Sequence, residues 1–128
     1  MTRIFILISG VFGGLSVAAG AFASHALKAQ LSAYYLAIFE TGARYQMYHA
    51  LALLLVALLL DRTETTAAAS PALVAAGFSY IIGVAIFSGS LYALSLTGIK
   101  WLGAITPLGG SALIIGWGCL ALAGWNFK

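Results

Sequence analysis

The sequence predicts an all-α fold: an integral membrane four-helix bundle, with an extra interfacial or extended helical segment before its second span. Three observations predict it. The 128 residues are 62% hydrophobic and 7% charged, against about 25% charged in a soluble domain, and the mean hydropathy is +1.05. So few charges cannot cover a surface in water, so lipid must be the solvent. The apolar residues fall into four runs of about the 20 residues that cross a bilayer as a helix. Finally, residues 40–62, ETGARYQMYHALALLLVALLLDR, stack a polar group and an apolar stretch end to end, where a soluble helix would set them on opposite faces. The length suits one domain, so 1–128 is read as a single transmembrane domain.

The first span runs over 4–24, with no charge after Arg3. Arg3, the apolar run and Ala21-Phe22-Ala23 imitate a secretory signal with its cleavage site. The run exceeds the usual h-region of about 7–15 residues, so the segment is expected to remain a true span. The second span is read as 41–60. Counting back 20 residues from Leu60 reaches Thr41, which takes Arg44 and His49 into the membrane; at a rise of 1.5 Å per residue His49 lies roughly 12 Å below the entry point. Before it, Leu27, Leu31, Tyr35 and Ile38 recur at helical spacing, so residues 28–39 are expected to form a helix, either at the interface or continuous with the second span.

The third span covers 71–96, with Ser70 as N-cap and Pro71 at the first helical position. The fourth covers 102–125, with Pro107 in its first turns and Trp101 and Trp125 at its ends, where indole rings favour the membrane–water interface. Positive charges divide evenly. Arg3, Arg62 and Lys128 fall on one side and Lys28, Arg44 and Lys100 on the other. The N-terminal amine and the depth of Arg44 tip the expected orientation towards both termini in the cytoplasm.

Small residues four apart mark the helices: Gly10 with Gly14, Ser16 with Gly20, Ser79 with Gly83, Ala85 with Gly89 and Ala112 with Gly116. Such spacing lets helix backbones approach closely in lipid. Gly10, Gly14, Gly20, Gly83, Gly89, Gly109, Gly110 and Gly116 are therefore the expected packing residues, inside the bundle or on an oligomer face. No internal repeat supports a two-plus-two transporter architecture.

The candidate site is the polar cluster His25, Glu40, Arg44, Tyr45, Gln46, Tyr48 and His49, with Ser88 and Ser90 as partners on the third span. Glu40 and Arg44 stand four apart with the acid first, the favourable order for an ion pair, and Arg44 left unpaired in lipid would cost about 2.5–3.5 kcal/mol. The cluster is accordingly expected to face the bundle, to pair internally or to bind something. His49 lies deepest, and histidine is the residue type whose ordinary titration falls near neutral pH; His25 is expected to close the first span at the interface. Two histidines and one cysteine on different spans lack metal-ligand spacing, no nucleophile motif is present, and no acid lies deep in a span. No metal, cofactor or enzymatic activity is expected. Cys119 is the single cysteine, so no internal disulfide forms. The net charge of +3 is scattered, so nucleic acid is not an expected partner.

The motifs GAFASHALK (20–28), ETGARYQMYHALALL (40–54), FSGSLYAL (87–94) and WLGAITPLGG (101–110) together resemble the small bacterial membrane proteins of the YgdD/YwdK type, the DUF423 family of unknown function, which is related to eukaryotic transmembrane protein 256. The resemblance covers nearly the whole chain. It implies four transmembrane helices in the bacterial inner membrane and supplies no activity. It departs at Ala23-Ser24, where glycine–alanine is usual, and at Lys128, where the basic tail of some relatives is not seen. Two readings follow: a structural or accessory component packing against itself or a larger complex, and, as the alternative, a small carrier, channel or sensor binding an ion, proton or small solute near Arg44, Tyr45 and His49.

Overall fold

The structure is a computed structural model that describes residues 1–64, 70–125 and 127. Among the described residues four helices are long and apolar enough to cross a membrane: α1 (Thr2–His25), α2 (Ala33–Glu64), α3 (Pro71–Thr97) and α4 (Thr106–Trp125). Lys128, one of the charges in the orientation count, lies outside the described residues.

Each helix boundary has a local cause. After α1 a 3-10 turn at Leu27–Ala29 reverses the chain, and Leu27, buried, anchors it against Ala23 and Phe39. Ser32 then accepts a hydrogen bond from the Tyr35 amide at 3.3 Å, which satisfies one of the orphan donors at the start of α2. From Ala33 the helix runs without a break to Glu64, 32 residues, or roughly 48 Å at 1.5 Å per residue. The segment before the second span is thus a 3-10 turn followed by an extension of the spanning helix itself. That length exceeds a hydrocarbon core of about 30 Å, so α2 projects beyond it.

Ser70 occupies the N-cap position of α3 ahead of Pro71, but its side chain makes no capping bond. The helix ends at Gly98, whose φ of 71° favours glycine because any Cβ is strained there. A second 3-10 turn, Lys100–Ala104, carries exposed Trp101. Pro107, lacking an amide hydrogen, sits in the first turn of α4, where no donor is needed; the helix therefore begins at Thr106 rather than at 102.

The helices pack in chain order, α1 on α2, α2 on α3, α3 on α4. Large side chains such as Leu7, Leu15, Leu51, Leu58, Ile82 and Ile114 stay exposed, as expected where lipid covers the outside. The interior is layered along the membrane normal. At one end Phe5, Leu53, Val56, Leu60, Leu73 and Tyr80 form an apolar cluster; at the other, Ala23, Leu27 and Phe39 form a smaller one. Buried Gln46, His49, Ser16 and Ser88 lie between.

Glycines set how closely these helices approach, unevenly around the bundle. A Cβ at Gly109 would fall 2.3 Å from the Phe87 backbone nitrogen, and at Gly83 and Gly116 it would run into Leu113 and Tyr80. Gly77, outside the expected set, makes room for the Phe5 ring. Gly110 has ordinary contact distance to Phe87. For Gly10, Gly14, Gly20 and Gly89, by contrast, a Cβ would meet nothing within 4 Å. None of the four sets how closely the helices of the bundle approach: the interior face of α1 is made by Phe5, Ser9, Ser16 and Ala23, with Gly10, Gly14 and Gly20 off it, and Gly89 is exposed on α3.

This asymmetry predicts opposite outcomes for one chemical change. Gly109→Ala must push α3 and α4 apart and is expected to cost about 1–3 kcal/mol. Gly14→Ala adds a methyl group in open space and improves helix propensity, so stability should hold or rise by up to about 1 kcal/mol. Unfolding of both purified variants in mixed micelles, followed by circular dichroism, checks the pair; equal stability of the two would contradict the close α3–α4 approach.

Candidate functional site

The polar cluster of α2 divides according to helical direction. Gln46 and His49, three residues apart, share the face that buries Gly42, Leu53 and Val56, and each is only 5% exposed. Arg44, Tyr45 and Tyr48 point elsewhere and are exposed, with Glu40 half-buried. The cluster is therefore not carried inward as a unit, since residues one and two positions apart cannot share a narrow buried stripe.

Gln46 joins three helices. Its Nε2 donates to the Phe12 carbonyl on α1 at 2.8 Å, and its Oε1 accepts from the Tyr92 hydroxyl on α3 at 2.8 Å. Two serines add bonds to α2's backbone: Ser16 Oγ donates to the Ala43 carbonyl at 2.6 Å, and Ser88 Oγ donates to the Gly42 carbonyl at 2.7 Å. Gly42 itself admits this approach, because a Cβ there would lie 3.0 Å from the Tyr92 ring. Helix carbonyls have a second lone pair free for such bonds, so α2 keeps its own ladder while gripping both neighbours.

His49 ties α2 to α4. Its Nδ1 lies 2.7 Å from the Tyr45 carbonyl, and a carbonyl only accepts, so Nδ1 carries the hydrogen. Nε2 is then bare and accepts the Trp117 indole hydrogen at 3.1 Å. The network assigns a neutral imidazole in one tautomer. Tyr80 lies against both rings, its centroid 5.5 Å from that of His49 and 5.5 Å from that of Trp117. Its hydroxyl is the one buried side-chain polar atom without a partner among the described residues. Beside this contact a lipid-facing cleft of about 780 Å³ lies between α2 and α4, walled by Tyr45, Tyr48, His49, Phe87, Ile114 and Trp117.

The other candidates fall outside this layer. Ser90 donates to the Phe87 carbonyl at 2.9 Å, so its 2.7 Å contact with Thr106 has Thr106 as donor and ties α3 to α4. His25 is exposed at the end of α1 and takes no part in the layer. No ion pair joins Glu40 to Arg44; both side chains instead line a shallow groove of about 370 Å³ between α1 and α2. The four-residue spacing permits the pair without enforcing it, because each long side chain reaches outward. Among the described residues no three His, Cys, Asp or Glu side chains gather to hold a metal ion. Sequence reasoning had no signal for Trp117, which stands in an apolar run 68 positions from His49. Ser16 and Gly42 were hidden the same way, since Ser16 reads as a packing residue.

If Gln46 fastens the layer, Gln46→Leu orphans the Tyr92 hydroxyl and removes the cross-helix bond to the Phe12 carbonyl, which keeps only its helix-ladder bond. Membrane hydrogen bonds of this kind are worth about 0.6 kcal/mol each and up to about 1.7, so a loss of roughly 1–3 kcal/mol is expected. Tyr92→Phe should cost less, and the double variant less than the sum. Additive losses in a double-mutant cycle would show that the two side chains act independently.

Comparison with known proteins supplies the relationship. The family described as Protein of unknown function (DUF423) matches residues 19–110. The chain is 42% identical over 121 residues to UPF0382 membrane protein YwdK of Bacillus subtilis, covering 94% of this chain and 95% of that one. It is 40% identical over 125 residues to UPF0382 membrane protein SAB0533 of Staphylococcus aureus and to SERP0230 of Staphylococcus epidermidis, in each case covering 98% of both chains. No solved structure matches. With a family match across most of its length and relatives at this identity from end to end, the chain belongs to the DUF423 (UPF0382) family of membrane proteins of unknown function.

Proposed function

We infer that this protein is a structural or accessory component of the bacterial inner membrane, without enzymatic activity, which acts by packing its helices against a further copy of itself or a larger membrane complex. Both termini lie in the cytoplasm in this reading. One observation carries it: apart from the Tyr80 hydroxyl, the buried polar side chains of the spanning layer are taken up by bonds within the bundle. Gln46, His49, Ser16 and Ser88 each bond to a neighbouring residue, which leaves a stapled interior rather than a polar path across the bilayer. On the outside, the glycines of α1 at 10 and 14 have open space around them, and small residues are what membrane helices use for close approach.

The cleft beside His49 favours a second reading, a small carrier, channel or sensor with Arg44, Tyr45 and His49 at its site. Under that reading His49→Leu abolishes a solute- or proton-dependent activity and leaves expression intact.

The test is the native mass of the tagged protein, extracted gently at its natural level. Gly14→Leu is expected to reduce the assembly to the monomer mass with little change in melting temperature, because Gly14 is exposed and a Cβ there meets nothing within 4 Å. An unchanged assembly in that variant places docking elsewhere. A wild-type protein that is monomeric at its natural level removes the accessory reading.

A further inference from the structure

Two charges at the edge of the bundle, Glu40 and Arg44, have no partner among the described residues. The two stand one turn apart on α2, and neither side chain makes an ion pair or hydrogen bond among the described residues. Both line the groove between α1 and α2, with Gly20, Ser24 and Met47. Their level in the bilayer follows from α2 itself. With Leu60 taken as the far end of the span, the 20 residues needed to cross the hydrocarbon reach back to Thr41, which sets Glu40 and Arg44 at the boundary between acyl chains and headgroups. What meets them there is lipid, and an arginine at this level seeks an anion.

The chemistry of the groove narrows which lipid. A guanidinium presents paired donors that match phosphate oxygens. An anionic headgroup alone would satisfy Arg44 but set its phosphate one turn from the Glu40 carboxylate with nothing to neutralise it. A choline headgroup brings a positive charge but no N–H to donate. A primary ammonium carries three donors, and a phosphate and an ammonium joined by a two-carbon link match two opposite charges one helical turn, about 5.4 Å, apart. Ser24 Oγ donates to the Gly20 carbonyl at 3.0 Å and keeps its lone pairs as further acceptors. A Cβ at Gly20 would meet nothing within 4 Å, so the groove stays open between the two charges and α1.

We propose that the α1–α2 groove binds a phospholipid whose headgroup joins a phosphodiester to a primary ammonium, with Arg44 holding the phosphate and Glu40 the ammonium. This site is separate from the accessory role above and does not depend on it, since neither residue belongs to the bonded layer or to the Gly10–Gly14 face.

The experiment is a lipid titration of the full chain in neutral detergent, read by native mass spectrometry. The probes are dioleoyl phosphatidylethanolamine, phosphatidylcholine and phosphatidylglycerol. The wild type is expected to retain the ethanolamine lipid on the order of tenfold more tightly than the other two, the effect of one additional charged hydrogen bond. Glu40→Gln should erase the preference over phosphatidylcholine and strengthen phosphatidylglycerol, whereas Arg44→Gln should weaken all three. Gly20→Leu fills the groove with both charges intact and should lose the ethanolamine preference. Arg44 is exposed and Glu40 half-buried, so melting temperatures close to wild type are expected throughout. Tighter binding of phosphatidylglycerol than of the ethanolamine lipid in the wild type would overturn the proposal, as would a preference that survives Glu40→Gln. So would free phosphoethanolamine binding as tightly as the lipid, because the site would then belong to a soluble molecule.

Discussion

A polar atom in the middle of a bilayer has no water to turn to, and the bonds around Gln46 are how this chain meets that constraint. Lipid tails are as apolar as leucine, so burying leucine between two membrane helices gains little against leaving it in lipid. Order among the helices must come from close contact and from bonds that only one arrangement satisfies. Gln46 has one amide donor on Phe12 of α1 and its carbonyl oxygen on Tyr92 of α3, which fixes α2 in rotation and height against both neighbours. Ser16 and Ser88 repeat the constraint at the adjacent carbonyls of Ala43 and Gly42. The apolar clusters on either side then fill space whose dimensions the polar layer has already set.

Close contact supplies the rest, and here the two ends of the chain differ. The α3–α4 crossing places the Phe87 backbone against Gly109 and the Tyr80 ring against Gly116, a pairing that depends on missing side chains. The α1–α2 pairing instead relies on hydrogen bonds and on the Ala23–Leu27–Phe39 contact, so α1 can keep its glycines on the outside. A helix attached by bonds on one face retains a second face for another partner.

Much of this was legible in the sequence, for reasons that differ by residue. The four spans follow from composition, because an apolar run of that length has no soluble alternative. The start of α2 was ambiguous. Leu27, Leu31, Tyr35 and Ile38 repeat at helical spacing, yet that pattern runs through the 3-10 turn and through Ser32, where the helix axis changes. In the site, Gln46 and His49 were recognisable as polar residues at membrane depth. Their separation from Arg44, Tyr45 and Tyr48 depends on which helix face α1, α3 and α4 cover, and charge spacing along one helix carries no such information. The glycines make the same point. Gly83 and Gly14 sit in identical small-x-x-x-small patterns, and only the first has a neighbour in the chain.

The state of His49 bears on what the layer can do. A proton carrier has to take up a hydrogen at one nitrogen and release it from the other. In this site Nδ1–H is directed to the Tyr45 carbonyl and Nε2 is occupied by the indole hydrogen of Trp117. Indole nitrogen is a donor only, so it can neither accept a proton from the imidazole nor remain bonded once Nε2 gains one. Loading His49 with a proton therefore requires Trp117 to swing away and gives up a hydrogen bond that ties α4 to α2. Any proton chemistry at this site is coupled to displacement of the Trp117 side chain; while that bond holds, the His49–Trp117 pair is a fastening.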